Sequence, residues 1–472
     1  MFEQARASTS TAGQTATVPL AGEIRSAVDA LAAPGEGLTD VERVDLIGAL
    51  EILKSAAAAA QARVTADLDA SVRARHAAMG LAADKQGRGV GAEVALARRE
   101  SPTRGGQHLG LAKALVHEMP HTLAALADGR LSEWRATLLV RETACLTRED
   151  RTRVDEELVS DPARLAGLGD RRVAAEARRL AYRLDPSAAL ARARKAEGDR
   201  RVTCRPAPDT MAYSTALLPV RDAVAVQAAL IREADSARAD GDVRSRGQLM
   251  ADIYVQRLTG RTTATGPDIS LHVVMTDQSL LGTGPGADEP AQVPGHGPVP
   301  ASTARRWLRP QRPVPAVRAD ADAAPEVVTE AAVWVRRLYA HPSTGELVAM
   351  DSKARLFRGA LRRFLVVRDE VCRTPWCDAM VRHADHVVPV AAGGRTSAEN
   401  GNGLCEQCNY AKDSPGWSAQ PQVGHAAAPD SGHRVETVTP TGHRYVSRPP
   451  PLPGTAARGR DASGTGPGTA VA

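Results

Sequence analysis

The sequence predicts an α+β chain, with a mainly helical N-terminal domain followed by a small cysteine-clamped unit near the C-terminus. Three observations point to it. Apolar residues recur at steps of three and four over the first half of the chain. The apolar fraction of 43% comes mainly from Ala, Val and Leu, with only three Phe. Four of the six cysteines fall in two close pairs, Cys372/Cys377 and Cys405/Cys408. Small apolar side chains suit helix packing. Paired thiols in a chain with so few cysteines suit a metal better than a disulfide framework.

At 472 residues the chain exceeds the size of a single core, so two or three domains are expected. Residues 1–35 read as a disordered tail, being rich in Ser, Thr, Ala and Gly without periodicity. Residues 36–275 form the helical domain. Its longest helix runs from Thr39 to about Leu68, with Leu46, Leu50, Leu53, Ala57, Ala60, Val64 and Leu68 on one face and Asp40 as the start signal. Shorter helices follow over 91–99, 109–117, 122–127, 132–146 and 171–184, divided by Gly, Pro and Asp. Residues 201–219 read as a hairpin turning at Pro208 and Asp209, and helices resume from about Val220.

Residues 276–330 are loaded with Gly and Pro and read as a linker, apart from a short helical stretch at 301–308. Residues 331–370 read as a second hairpin around His341–Gly345 and a basic helix from Lys353 to Arg368. Residues 371–420 form the cysteine unit, and 421–472 an extension ending in a disordered tail. Cys145 and Cys204 stand alone in apolar-rich segments, as buried small hydrophobes do.

The net charge of +5 and pI near 9.0 permit a polyanionic partner, but the excess is small over this length, so its clustering matters more. Lys353, Arg355, Arg358, Arg362, Arg363, Arg368 and Arg373 crowd one span, opposed only by Asp369 and Glu370. Guanidinium groups in such a cluster can grip phosphates bidentately and independently of sequence. The N-terminus has acidic and polar residues where a leader needs a basic end and an apolar run. Apolar runs elsewhere are too short to cross a bilayer. A cytoplasmic protein is expected.

The informative segment reads CRTPWCDAMVRHADHVVPVAAGGRTSAENGNGLCEQCNYAKDSPGW. A Cys-x4-Cys pair stands 27 residues before a Cys-x2-Cys pair, so four thiolates can surround one structural zinc while the interval forms a hairpin clamped at its ends. Zinc alone says nothing of catalysis. The second layer is Asp385-His386, Pro389, the turn pair Gly393-Gly394, Asn400, and Asn409 and Lys412 directly after Cys408.

On these residues the segment resembles the Cys-type HNH endonucleases, whose ββα-metal (His-Me finger) module sets a strand histidine against a divalent ion. The resemblance implies that His386 is the general base acting on water, suited to it by its neutral form near pH 7. It also implies that Asp385 is a metal ligand and that Asn400 holds the hairpin loop and orients His386. The third position, usually a histidine ligand, is Asn409, which makes this an HNN variant and tilts the catalytic ion toward Mg2+ or Mn2+. His383 shares a strand face with Asp385, and Lys412 is placed to meet a DNA phosphate, as are Arg358, Arg362, Arg363 and Arg373.

The stretch GVGAEVALARRESPTRGGQHLGLAKALVHEMPHTLAALADGRLSEWRATLLVRETACL, with RPAPDTMAYSTALLP and LYAHPSTGELVAMDS further on, is similar to a large bacterial family in which a helical domain of uncharacterised function precedes an HNH module, a resemblance that runs from about residue 40 to 450. The expected activity is metal-dependent hydrolysis of DNA phosphodiester bonds. The competing reading is a zinc-stabilised DNA-binding or regulatory protein with a degenerate site, which the asparagine at 409 keeps open.

Overall fold

The computed structural model describes residues 19–32, 37–260, 272–308, 356–422 and 433–450. The hairpin expected around His341, the basic residues Lys353 and Arg355, and the outermost tails lie outside the described residues.

Within the expected N-terminal tail, α1 (Pro19–Leu31) is helical. The long helix α2 (Asp40–Ala78) opens on a capping box in which Thr39, not Asp40, accepts from the Glu42 N–H while the Glu42 carboxylate accepts from the Thr39 N–H. That exchange satisfies two of the four orphan donors at the helix start. The buried face of α2 is not the Leu/Val face expected. Ala58, Ala59, Ala62 and Ala66 are buried, whereas Leu53 and Val64 are exposed. The alanine stripe lets neighbouring helices approach closely, and Ala58, Ala59 and Ala62 pack with Leu111, Leu115 and Leu126.

After α3 (Val90–Arg98), these partners come from α4 (Pro102–His117) and α5 (Pro120–Ala127), followed by α6 (Glu133–Glu142), α7 (Arg148–Val159), α8 (Asp170–Leu184) and α9 (Pro186–Gly198). Ser101, Ser132 and Thr147 cap α4, α6 and α7 by accepting first-turn N–H groups, each contributing about 1 kcal/mol. A second core of Leu139, Val154, Leu158, Val173 and Leu180 joins α6, α7 and α8. The hairpin appears as β1 (Arg201–Pro206) against β2 (Ala212–Leu217), with Asp209 and Thr210 at positive φ in its turn. The helices α10 (Val220–Ala239) and α11 (Arg246–Thr259) pack as a pair.

The segment read as a linker is partly folded. It holds α12 (Asp277–Leu281), a small hairpin of β3 (Ala291–Val293) and β4 (Gly297–Val299), and α13 (Ala301–Leu308). Arg305 donates to the Ser279 and Ala287 carbonyls at 2.7 Å, which ties α13 back to α12. Within its described part, Gly282, Gly284, Gly295 and Gly297 take positive φ at the turns between these elements. Gln292 donates to Glu370 at 2.5 Å, joining this unit to the next.

That next unit begins with α14 (Gly359–Asp369), shorter than the basic helix expected and anchored by buried Leu361, Phe364 and Leu365. Strand β5 (His383–His386) pairs antiparallel with β6 (Gly401–Leu404), and α15 (Glu406–Lys412) follows at once. A sheet of β7 (Ser418–Gln422), β8 (Arg434–Val438) and β9 (Arg444–Ser447) closes the described chain.

A buried ionic cluster joins these parts. Asp369, with no exposed surface, takes two hydrogen bonds from Arg368 at 2.7 and 3.0 Å, one from Arg373 at 3.0 Å and one from the Gly403 N–H at 2.6 Å. Arg373 also donates to the Ser447 carbonyl at 2.9 Å and meets His433 Nδ1 at 3.1 Å. Burial, with the two arginine charges beside it, drives His433 down to about 3, so its ring stays neutral. Buried charges paired this fully lock the register of the elements they join, because removing one partner strands the others.

Candidate functional site

The four sulfurs of Cys372, Cys377, Cys405 and Cys408 are buried and lie within 4.8 Å of one another. Cys377 Sγ is 3.6 Å from the sulfurs of both Cys405 and Cys408. A disulfide needs about 2.05 Å, whereas Zn–S bonds of about 2.3 Å in a tetrahedron set sulfurs about 3.8 Å apart. Hydrogen bonding with Cys372, and then with the other thiols, pulls Cys405 far below the ordinary thiol range and pushes Cys377 and Cys408 far up. Four thiols so crowded cannot all ionise without a cation between them. The donor set fits a structural zinc. Cys405 doubles as the cap of α15, its sulfur accepting the Cys408 N–H at 3.4 Å, so the clamp also sets where α15 starts.

Residue Asp385 pairs with Asn402 across the β5–β6 ladder, and His386 with Gly401. The loop between the strands is held by Asn400, whose Oδ1 accepts from the Val388 N–H at 2.8 Å. Its Nδ2 donates to the carbonyls of Val388 at 3.0 Å and Arg395 at 2.8 Å. Gly394 is required beneath that amide, since a Cβ there would fall 1.8 Å from the Val388 carbonyl oxygen.

The hydrogen bond to His386 comes from elsewhere. Its Nε2 lies 2.9 Å from Thr396 Oγ1, and its ring is tilted against Phe357 with centroids 4.5 Å apart. Burial lowers its pKa from the ordinary histidine value, with Lys412 adding to the shift and Asp385 opposing it. When Nε2–H donates to Thr396, Nδ1 keeps its lone pair, and among the described residues it has no hydrogen-bond partner. Neither Thr396 nor Phe357 was found from the sequence. The signal was there for Thr396, which follows the Gly393-Gly394 turn that folds it back onto β5.

Replacing Thr396 with Val keeps the shape and removes the hydroxyl. Any cleavage activity should drop by roughly 10-fold or more, as when a partner orienting a site residue is lost, and Thr396→Ser should restore most of it. Full activity in the valine variant would remove Thr396 from the site.

Helix α15 brings Asn409 and Lys412, one turn apart, toward β5. Asn409 Oδ1 is buried without a hydrogen-bond partner. An orphaned carbonyl oxygen costs about 1–3 kcal/mol, and it is a hard donor of the kind Mg2+ and Mn2+ take. Lys412 Nζ lies 2.6 Å from Asp385 Oδ2 and 3.3 Å from Asp413. The Asp385 contact is an ion pair without hydrogen-bond alignment. Lys412 is thus turned into the site, not out to solvent, and Asp385 and Asn409 offer oxygen donors fitting a hard divalent cation.

Among the expected DNA contacts, Arg358, Arg362 and Arg363 are exposed at the start of α14. Arg373 is not: its side chain is 3% exposed and committed to Asp369, so it cannot reach a phosphate and belongs to the core. Sequence proximity to the basic run misled here, because the residue one step past Cys372 turns inward with the zinc clamp. His383, on the same face as Asp385, lies near the Tyr410 ring with centroids 6.2 Å apart.

The helical domain contacts this site directly. Thr103 donates to Gln407 of α15 at 3.0 Å, and the Thr441 N–H donates to Glu93 at 3.2 Å. The Gly89 backbone at positive φ lies so close to Trp417 that a Cβ would sit 2.6 Å from Nε1.

Residues 52–312, more than half of the chain, match the family model described as a domain of unknown function (DUF222). Residues 370–414 match that of HNH endonuclease, a span that begins just after α14 and covers the four cysteines, β5, β6 and α15. No curated protein and no solved structure matches the chain. Among the described residues no helix is long and apolar enough to cross a membrane.

Proposed function

Because the chain belongs to the family defined by the DUF222 domain and carries an HNH endonuclease domain behind it, we propose that this nuclease is a cytoplasmic, metal-dependent DNA endonuclease working through an HNN-variant site. One observation carries the reading: beside Asp385, whose carboxylate meets Lys412 of α15, stands an imidazole whose Nδ1 has no hydrogen-bond partner among the described residues, and α15 also carries a buried, unpartnered amide oxygen.

In this reading His386 Nδ1 takes a proton from the attacking water, and the resulting hydroxide adds to phosphorus as the bond to the leaving sugar oxygen breaks. Thr396 fixes the tautomer that makes this possible, and Asn400 holds the loop on which Thr396 sits. Asp385 and Asn409 would hold Mg2+ or Mn2+, which neutralises charge on the phosphorane and the leaving oxygen when bound. Lys412 adds a positive charge beside the same phosphate. Arg358, Arg362 and Arg363 grip flanking phosphates.

The test is conversion of supercoiled plasmid to nicked or linear forms with Mg2+ or Mn2+ by the full chain, beside Asn409→Ala. Cleavage should need the divalent ion, and the alanine variant should need at least about 10-fold more of it, the loss expected when an oxygen donor is removed from a metal site. Binding of DNA without nicking under any divalent ion would favour the zinc-stabilised DNA-binding protein instead.

A further inference from the structure

A cleft of about 720 Å3 lies between the helical domain and the outer face of α15, within the roughly 300–1,000 Å3 range of sites that enclose a ligand. Lys85 and Arg88 on one side face Tyr410 on the other, and Gly91 and Gly106 leave part of its floor without side chains. Both cations are exposed and have no ion-pair partner among the described residues. The acid at the cleft, Asp413, is already in contact with Lys412 at 3.3 Å. The cleft therefore presents uncompensated positive charge.

It also adjoins the nuclease site across α15. Its far wall is the helix that carries Asn409 and Lys412. Tyr410, 61% exposed, borders the cleft and lies beside His383, two residues before Asp385. A chain leaving a phosphate at Asp385 can pass His383 and Tyr410 and enter the cleft. The space is too small for a turn of duplex but suits about one or two nucleotides, with phosphates on cations and a base on an aromatic face, the arrangement that binds single strands.

We propose that this cleft binds an unpaired segment of the DNA strand flanking the scissile phosphate, which gives the DUF222 domain a part in substrate binding through Lys85 and Arg88. The proposal rests on the nuclease reading above. It makes the helical domain one wall of the substrate path.

The test measures binding by the full chain in a His386→Ala background, which keeps the DNA intact, using fluorescence anisotropy. Two probes are compared, a blunt hairpin duplex and the same duplex with a short single-stranded tail. The parent should bind the tailed probe about tenfold more tightly, the order of one stacked base. Lys85→Glu/Arg88→Glu should abolish that preference and lower the salt slope of tailed-probe binding by about 1.4, the value for two single-strand phosphate contacts. Tyr410→Ala should weaken the preference with the slope unchanged, and Tyr410→Phe should keep it. Arg171→Glu/Arg172→Glu, a reversal on α8 outside the cleft, should keep it too.

A parent that binds both probes equally, or cleft variants that retain the preference, would overturn the inference and leave the nuclease reading standing. Loss of the preference in the α8 control as well would also overturn it, as a general charge effect. A parent that binds neither probe would remove both readings.

Discussion

His386→Ala is expected to lower plasmid cleavage by roughly 10^2- to 10^4-fold, the range for losing a positioned general base, while DNA affinity changes by no more than about twofold. The expectation follows from what the side chain touches. Its ring is buried against Phe357, its Nε2 is tied to Thr396, and no described basic side chain grips through it. Truncation therefore removes the proton acceptor and little of the binding surface.

The pH dependence follows from the direction of the shift. Burial lowers the His386 pKa below that of a free histidine, and the base works in its neutral form. The cleavage rate should therefore fall at a lower pH than an unshifted histidine would set. Comparable cleavage by the alanine variant at saturating Mg2+ or Mn2+ would sink the assignment. A rate that already falls as the pH drops through 7 would place the titrating group elsewhere.

Much of the nuclease unit was legible because its chemistry is written in short spacings. Two thiol pairs, a Gly-Gly turn and an Asn just before the second pair leave few ways to fold, and the structure brings the thiols together at one end of the hairpin and the Asn against the Gly-Gly turn at the other. What the sequence hid were contacts made by ordinary residues. Thr396 has no special composition and earns its place only when the loop turns it back onto β5. Arg373 looked like the end of a basic run, yet Asp369, four residues away and one turn back on α14, draws it inward.

The helical domain shows the same limit at larger scale. Periodicity found α2, but it chose the Leu/Val face over the alanine face. Large apolar residues weigh most in a pattern, whereas close packing by α4 and α5 selects the smallest side chains. Contacts between distant segments were beyond pattern reading altogether, among them Glu93 with Thr441 and Thr103 with Gln407.

Removing the zinc is expected to unfold the nuclease unit while the helical domain survives. The unit has few apolar side chains of its own, and one of its small clusters consists mostly of the four cysteines themselves with Leu404. Metal binding in sites of this type contributes on the order of 10 kcal/mol to folding, more than the rest of so small a unit can supply. The helical domain keeps separate cores that contain no cysteine ligand.

A preparation should thus carry about one zinc per chain. Cys408→Ser, or stripping with a strong chelator, should abolish cleavage and open residues beyond about 370 to limited proteolysis, leaving helical circular dichroism largely intact. Cys145→Ser, outside the cluster, should change none of these. The clamp also sets the start of α15 through the Cys405 cap, so loss of zinc displaces Asn409 and Lys412 together and cannot be rescued by added Mg2+. A serine variant that kept protease resistance and Mg2+-dependent cleavage would show that the ββα unit folds without its metal, and the thiol cluster would then need another explanation.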